Sequence, residues 1–276
     1  MWSDVPMVHL RDTLRQVAVR VATEAAELVE TTRRSAVRHV ETKSSATDPV
    51  TAGDKAAERL IRERLARLRP GDPVLGEEEG ADQPGDSTGS VQWVVDPIDG
   101  TVNYLYGLPW YSVSVAAQLD GVTMAGAVVE PASGRVWSAA RGAGATLDDV
   151  PLRASAAREL ELTLVATGFA YRPERRARQT EVVRQLLTRV RDIRRTGSAA
   201  LDLCLVGAGW VDAYFEAGLN PWDWAAGALI AEEAGAVVHL PGTGEFGNTV
   251  FASAPGVARQ LGELLKEAGI SADQTS

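Results

Sequence analysis

The chain has 276 residues, 45% hydrophobic and 24% charged, which suits a folded protein of one large domain or two small ones. Its net charge of −9 argues against extended binding to DNA or RNA, because phosphate backbones repel an acidic protein. With one cysteine and three histidines, an internal disulfide is excluded and a zinc site of nitrogen and sulfur ligands is disfavoured. Any bound metal is therefore expected to have mainly oxygen ligands.

The elements expected in the first half alternate helix and loop before a sheet. They are a helix over 9–40, a loop over 43–51, a helix from about Asp54 to Leu68, a strand at 73–76, a mobile surface loop over 80–90, a buried strand at 93–96 and an antiparallel meander over 111–140. The meander turns at Asp120-Gly121 and Ser133-Gly134.

The second half alternates strand and helix, which predicts α/β packing. The expected elements are a strand at 162–166, a helix at about 173–190, a short strand, a helix within 198–209, a strand at 211–218, a helix at 221–235, a strand at 236–240 and a terminal helix at 257–268. Cys204, in the apolar run LDLCLVG, is expected to be buried. We place the domain boundary near residue 150, which separates an N-terminal α+β half (1–150) from a C-terminal α/β half (151–276).

Neither a membrane nor a secretory segment is apparent. No stretch approaches the roughly 20 apolar residues that span a bilayer, and the first residues lack the basic and apolar regions of a signal peptide. We expect a cytoplasmic protein with no membrane partner. Basic clusters at 172–178 and 189–195 lie on or beside a predicted helix, and we interpret them as a solvated face.

The stretch WVVDPIDGTVNY, residues 93–104, ends a buried strand in two carboxylates, Asp96 and Asp99. Pro97 lacks the donor that a central strand needs, and Gly100 permits backbone angles closed to other residues. Together they are expected to turn the chain and display both acids and the Ile98 carbonyl at the rim of a sheet. The alternative is that these residues serve only as turn formers.

Three other acidic positions also have two interpretations each. Glu77 and Glu78 follow a strand and either bind a cation or form a solvated acidic loop. Asp223, in NPWDWAAG, lies in the first turn of a helix, where the helix dipole alone favours a carboxylate. Asp54 opens a helix and is a possible N-cap.

Four stretches of the chain resemble, in order and approximate spacing, the signatures of the inositol monophosphatase family. They are KSSATDPVTAGD, GEEEG, WVVDPIDGTVNY and NPWDWAAGALIAEEAG. The resemblance implies a layered αβαβα sandwich of the inositol monophosphatase/fructose-1,6-bisphosphatase type, with the site between an α+β half and an α/β half. It also implies a lithium-sensitive, Mg²⁺-dependent phosphatase that converts myo-inositol monophosphate to inositol and phosphate, acts on a small phosphorylated polyol and forms a homodimer.

The resemblance further assigns roles at matching positions. It implies two or three Mg²⁺ ions, with Mn²⁺ as a possible substitute, and a metal-activated water as the nucleophile. The first metal would be held by Glu77, Asp96 and the Ile98 carbonyl, the second by Asp96, Asp99 and Asp223, and Glu78 would belong to an outer shell or a third site. Thr101 and Asp54, together with Glu77, would be catalytic, and the substrate would be bound by Lys43, Gly100, Thr101, Ser198, Ala199 and Glu216.

Several alternatives stay open at this point. The same metal core serves fructose 1,6-bisphosphate, histidinol phosphate and 3′-phosphoadenosine 5′-phosphate in related enzymes. Ser198 is also a suitable helix N-cap, and Glu216 is also an ordinary acid at the end of a strand. Outside enzymes, the rival is a regulatory or binding protein that keeps the fold without the chemistry.

Overall fold

The computed structural model describes residues 4–36, 40–42, 49–82, 90–242 and 244–270. Lys43 and most of the predicted loop at 80–90 therefore lie outside the described residues. The helices are α1 (Asp4–Ala36), α2 (Ala52–Leu68), α3 (Thr101–Tyr106), α4 (Pro173–Leu186), α5 (Ala199–Gly207), α6 (Pro221–Glu233) and α7 (Ala258–Glu267), with a 3₁₀ turn at Leu160–Leu162.

The strands form a two-stranded pair and two larger sheets. They are β1 (Val40–Thr42), β2 (Pro49–Thr51), β3 (Val74–Gly76), β4 (Gly80–Ala81), β5 (Val91–Asp99), β6 (Ser112–Leu119), β7 (Val122–Val129), β8 (Val136–Ala140), β9 (Ala145–Leu147), β10 (Val150–Pro151), β11 (Leu164–Thr167), β12 (Asp192–Arg194), β13 (Ala213–Ala217), β14 (Val237–His239) and β15 (Thr249–Ser253). The eight-stranded sheet has the order β10-β9-β8-β7-β6-β5-β3-β4, and the five-stranded sheet has the order β12-β11-β13-β15-β14.

Five layers result from the packing of helices on these two sheets. Helices α1 and α2 cover one face of the eight-stranded sheet, and α5 and α6 lie between the two sheets and contact both. Helices α4 and α7 pack on the outer face of the five-stranded sheet. This is the αβαβα sandwich that the resemblance implied.

The strand β5 is buried on both faces, which explains its nearly continuous apolar sequence. Trp93 and Val95 pack into the core beneath α1 and α2, whereas Val94 packs into the core formed with α5 and α6. Successive side chains of a strand point to opposite faces, so a strand between two helical layers has no polar face. Apart from the half-buried Gln92 near its start, its polar residues are therefore confined to its carboxyl end.

The expectation that Pro97 ends this strand is wrong. β5 continues to Asp99, but its pairing with β6 breaks: Asp96 pairs with Ser114 and Asp99 with Ser112, so two residues lie opposite one. A bulge of this kind tolerates a residue without an N–H donor. The bulge also turns the two aspartates toward one rim of the sheet.

Other expectations differ from the structure at element ends. The first helix stops at Ala36, and residues 40–42 form a strand paired with 49–51 instead of continuing the helix or lying in a loop. Strand β15, which pairs with β13 and β14, was not predicted. The meander over 111–140 and the burial of Cys204 are confirmed.

The division into halves near residue 150 stays a prediction. Residues 74–151 supply the eight-stranded sheet and residues 164–253 the five-stranded sheet. In the described part of the chain, no helix is long and apolar enough to cross a membrane.

Candidate functional site

The site lies where the carboxyl ends of parallel strands from both sheets approach each other. In the larger sheet β3 is parallel to β5, so the turn at 77–79 and the end of β5 share one edge. In the smaller sheet β11 is parallel to both β12 and β13. Segments that follow parallel strands converge at the same edge, which is where open α/β sheets bind ligands.

Three carboxylates from these elements form a tight cluster. Asp96 and Asp99 come from the end of β5 and Asp223 from the first turn of α6, and one oxygen of each lies within 4.8 Å of the others. Asp96 is 1% exposed and Asp99 is 8% exposed. Glu77 approaches the same group, because its side chain hydrogen-bonds to that of Asp96. The structure therefore brings together all four carboxylates that the sequence singled out as metal ligands.

Backbone and hydroxyl donors fix the orientation of two of these carboxylates. Oδ2 of Asp99 accepts hydrogen bonds from the Ser198 hydroxyl at 2.5 Å and from the Ala200 N–H at 2.8 Å, both at the start of α5. Oδ2 of Asp223 accepts from the Asn220 N–H at 2.6 Å, at the start of α6. The positive ends of two helices thus face the cluster. Ser198 is also the N-cap of α5, as the alternative interpretation held.

The cluster is electrostatically unfavourable without a cation. Burial, reinforced by the charges of Glu77, Asp99 and Asp223, raises the pKa of Asp96 well above its usual value. Burial also raises the pKa of Asp99 to about 6, although its bonds to Ser198 and Ala200 oppose the rise. The pKa of Asp223 is raised well above its usual value by burial and then by the charges of Asp99 and Glu77.

Behind the cluster, Thr101 connects the cavity to the fully buried Asp54. The Thr101 hydroxyl lies 3.2 Å from Oδ1 of Asp54 and 3.0 Å from the Ile98 carbonyl oxygen, so it can donate its one proton to either. The N–H and hydroxyl of Thr51 both donate to Oδ2 of Asp54, at 2.7 and 2.5 Å. Thr51, not Asp54, is the N-cap of α2, and Asp54 is the N3 residue of a capping box with Thr51.

Glu58, one helical turn after Asp54, was missed by the sequence reasoning. It is fully buried, and its carboxylate accepts hydrogen bonds from the Glu78 N–H at 2.7 Å and the Glu79 N–H at 3.1 Å. Arg62 pairs with it at 2.9 Å and also donates to the Gly80 carbonyl. These contacts fix the turn that presents Glu77. The available sequence signal was weak: an acid four residues after Asp54 and an arginine four residues later.

A cavity of about 530 Å³ opens over the carboxylates and is lined by most of the other residues predicted for the site. Its walls include the four carboxylates together with Ile98, Gly100, Thr101, Ala199 and Glu216. Asp54, Glu78 and Ser198 do not line it, and Lys43 lies outside the described residues. Burial raises the pKa of Glu216 to about 7, while the Tyr214 hydroxyl, 2.8 Å away, and the charge of Arg195 act in the opposite direction.

The interpretation of the basic clusters as a solvated face is incomplete: Arg172 and Arg195 are exposed, as expected, but these two residues and the half-buried Arg175 also line this cavity. The reason is the strand order. Arg172 and Arg175 follow β11, and Arg195 follows β12, which is parallel to β11. The two segments, which are separated in sequence, therefore meet at the same edge of the sheet. Strand order is not readable from a local charge pattern.

The donor set suits a hard divalent cation. Several buried carboxylate oxygens that repel one another gain from a shared cation, and oxygen-only ligands favour Mg²⁺, Mn²⁺ or Ca²⁺ over softer metals. A layered α/β fold with such a carboxylate centre between its two sheets defines a class of metal-binding proteins with an adjoining pocket for a small molecule.

The chain belongs to the inositol monophosphatase family, whose model matches residues 10–272. It is 52% identical over 268 residues to the inositol-1-monophosphatase of Mycobacterium leprae, covering 91% of this chain and 92% of that protein. It is 40% identical over 227 residues to the Nus factor SuhB of Escherichia coli strain K12, covering 80% and 83%. The solved structure of Mycobacterium tuberculosis SuhB matches 93% of this chain and 97% of its own, with 46% identity and a TM-score of 0.81.

Proposed function

We propose that this protein is a Mg²⁺-dependent phosphatase that hydrolyses myo-inositol monophosphate to inositol and phosphate. Family membership supports phosphatase activity. The observation that carries the finer proposal is the buried cluster of Asp96, Asp99 and Asp223 with Glu77 beside it, open to a cavity that also contains Glu216. The name of the Mycobacterium leprae relative supports the choice of substrate.

The carboxylates are the residues that would hold metal. Glu77, Asp96 and the Ile98 carbonyl would hold one ion, and Asp96, Asp99 and Asp223 a second, with Glu78 in an outer shell or at a third site. When bound, two such ions lower the pKa of a water and neutralise charge that develops on the phosphoryl oxygens. Mn²⁺ has similar ligand preferences and is expected to substitute.

Thr101 and Asp54 would orient the attacking water. When the Thr101 hydroxyl donates its hydrogen bond to Asp54, its oxygen lone pairs can accept a hydrogen bond from a water in the cavity. Hydrolysis forms a bond from the water oxygen to phosphorus and breaks the ester P–O bond; the attacking water loses one proton, and the leaving oxygen gains one, so the products are the free polyol and phosphate. The hydrogen bonds from Thr51 to Oδ2 of Asp54 fix this carboxylate.

The polyol would lie against the smaller sheet. Glu216, in β13, would accept hydrogen bonds from ring hydroxyls, and the backbone at Ser198 and Ala199 would line the same end. The N–H groups of Gly100 and Thr101, at the start of α3, would contribute to phosphate binding, and Lys43 would supply a further positive charge. Lithium inhibition and a homodimer are further predictions from family membership.

The test is Mg²⁺-dependent phosphate release from inositol 1-phosphate, fructose 1,6-bisphosphate, histidinol phosphate and 3′-phosphoadenosine 5′-phosphate. If kcat/KM is highest for inositol 1-phosphate, the proposal is supported. If it is higher for another of the four substrates, the protein is still a Mg²⁺-dependent phosphatase, but its substrate is that other compound. The variants Asp99→Asn and Asp223→Asn are expected to lose several orders of magnitude in rate. Near-normal turnover in either variant removes that residue from the proposed metal shell.

A regulatory role is the second candidate, because one relative is named a Nus factor. A protein without the chemistry is free to lose metal ligands, yet all four carboxylates are present and adjacent. We therefore favour the enzyme. Absence of phosphate release from all four substrates, in protein shown to bind Mg²⁺, would favour the regulatory role.

A further inference from the structure

A second cavity, of about 410 Å³, lies on the outer face of the five-stranded sheet, between helix α4 and the end of α7. It shares a wall with the first cavity, formed by Gly168, Arg175 and residues 216–218. None of the four carboxylates of the cluster lines it. The proposed hydrolysis therefore assigns no role to this cavity beyond the shared wall.

The position of the cavity follows from the connections of the sheet. Strand β11 leads through α4, on the outer face, to β12, whereas β12 leads through α5, on the inner face, to β13 on the other side of β11. Open α/β sheets bind ligands at the carboxyl ends of strands whose connections leave on opposite faces. Thr167 at the end of β11 and Ala217 at the end of β13 both line the second cavity.

The interior of the cavity is mainly apolar, with one buried hydroxyl. Val182, Phe215 and Ile270 line it and belong to the core between the sheet and its outer helices. Thr249 lies on the same face of β15 as Phe251 and is only 3% exposed, and its hydroxyl has no hydrogen-bond partner among the residues that the structure describes. A buried hydroxyl without a partner costs free energy, so a ligand that bonds to it is favoured.

Two arginines of α4 place positive charge at the cavity. Within the described residues neither Arg175 nor Arg178 has a carboxylate oxygen within 4.0 Å, whereas Arg184 on the same helix pairs with Glu181 at 2.5 Å. The acid Glu181, which also lines the cavity, is therefore already neutralised. Burial raises the pKa of the other acid in the lining, Glu216, to about 7, so its negative charge is incomplete at neutral pH.

The buried hydroxyl and one guanidinium group lie at the same end of the cavity. Thr249 pairs with Ala217 across the strands, and paired residues point to the same face of a sheet. The next residue is Gly218, where a β-carbon would lie 3.2 Å from a terminal nitrogen of Arg175. One polar end, formed by the hydroxyl and the guanidinium group, thus adjoins an apolar interior.

We propose that this cavity binds a small carboxylic acid that carries a hydrocarbon chain. Its carboxylate would contact Arg175, Arg178 and the Thr249 hydroxyl, and its chain would lie against Val182 and Ile270. A guanidinium group matches a carboxylate with paired hydrogen bonds, and burial of the chain supplies hydrophobic free energy. A phosphorylated polyol would leave the apolar walls uncovered, so the ligand belongs to a different chemical class from the proposed substrate.

The first test is NMR titration of the protein in EDTA with butanoate, hexanoate and octanoate, and separately with inorganic phosphate. The affinity should rise about threefold to fourfold for each added methylene, because each one is buried against the apolar walls. Inorganic phosphate, which lacks the chain, should bind at least about tenfold more weakly than octanoate.

The second test compares two exposed arginines that line different cavities. Arg178 lines only the second cavity and Arg195 only the first. Arg178→Ala should weaken octanoate binding at least about fivefold, and the nearly isosteric Thr249→Val at least about threefold. Arg195→Ala is the matched control and should leave the Kd for octanoate unchanged.

Three results would overturn the proposal: no binding of octanoate, an affinity that does not depend on chain length, or an affinity for phosphate equal to that for octanoate. Weakening by Arg195→Ala and not by Arg178→Ala would place the acid in the first cavity and would also overturn it. The titrations use no Mg²⁺ and no turnover, so they stand independently of whether the protein releases phosphate from inositol 1-phosphate.

Discussion

Replacing Asp99 with asparagine should stabilise the metal-free protein while removing its response to Mg²⁺. The pKa of Asp99 is raised from 3.8 to about 6, so the folded state disfavours its charge. The Ser198 hydroxyl and the Ala200 N–H both donate to the same oxygen, Oδ2, and the Ala199 backbone also hydrogen-bonds to this carboxylate. An asparagine with its oxygen at that position keeps the bonds from Ser198 and Ala200 and places no negative charge beside Asp96 and Asp223.

The rise in pKa sets the magnitude and the pH window. At about 1.4 kcal/mol per pKa unit, a charged Asp99 lowers the free energy of unfolding at pH 7 by roughly 3 kcal/mol. Because the folded pKa is raised, this cost is absent below about pH 4, grows between about pH 4 and 6, and is complete at pH 7. For a chain of this size, about 3 kcal/mol corresponds to roughly 6–12 °C in Tm as an upper bound.

The assay is thermal unfolding in EDTA from pH 4.5 to 8, repeated with millimolar Mg²⁺. The unaltered protein should gain stability from Mg²⁺, whereas Asp99→Asn should start higher at pH 7 in EDTA and gain little. Asp12→Asn, an exposed change on α1, controls for the loss of a charge and should match the unaltered protein. A variant that melts no higher than the unaltered protein in EDTA at pH 7, or that retains the full Mg²⁺ shift, refutes the reasoning.

Three further predictions concern the residues around the cluster. Thr101→Val should lower kcat by about 10²–10⁴-fold with little change in the Mg²⁺ concentration for half-maximal rate, since it removes the hydroxyl beside Asp54; a larger effect on Mg²⁺ would instead assign Thr101 to metal binding. The pKa of Glu216 is raised to about 7, so KM for inositol 1-phosphate should fall as pH rises through about 7, when this carboxylate becomes charged. Glu216→Gln should abolish this pH dependence of KM, and a variant that retains the dependence would assign the titration to another group. Gly76→Ala would place a β-carbon 2.1 Å from Oε1 of Glu58. The free energy of unfolding in urea should therefore fall by about 1–3 kcal/mol, and the Mg²⁺ concentration needed for activity should rise, whereas an unchanged Mg²⁺ requirement would mean that the turn tolerates the shift.

The acidic half of the site was predictable from sequence because its residues lie in short local motifs, at strand ends and at the start of a helix, and those motifs carry the family resemblance. Asp96 and Asp99 terminate an apolar run that had to be a buried strand, and Glu77 terminates another. Several positions also had an ordinary local explanation, and three of these proved at least partly correct: Asp54 and Asp223 each belong to a capping box in the first turn of a helix, and Ser198 is an N-cap. Capping and site geometry are compatible here, because the capping residues are the ones that hold the acids in place.

The arginines that line the cavity and the contacts of Glu58 that support the Glu77 turn were not predictable from local motifs. Arg175 and Arg195 share a cavity only because β11 and β12 are parallel neighbours, a pairing between residues about 30 apart in sequence. Glu58 acts on backbone N–H groups about 20 residues away, and backbone donors leave no mark on the sequence. Strand β15 was missed although its five residues are all buried, because a short apolar run has no periodicity that distinguishes it.

The layer of α5 and α6 explains why the site requires both parts of the chain. Asp96 and Asp99 come from the larger sheet and Glu77 from the turn after β3, whereas the donors to Asp99 and the carboxylate of Asp223 come from the starts of these two helices. Both helices pack against both sheets, and Gly227 permits the close approach, since a β-carbon there would lie 2.8 Å from the Ala200 carbonyl oxygen. A change in the spacing of α5 and α6 would therefore move Asp223 relative to Asp99 without touching either residue. The predicted boundary near residue 150 divides the sheets, but the carboxylate cluster and its supporting hydrogen bonds extend across it.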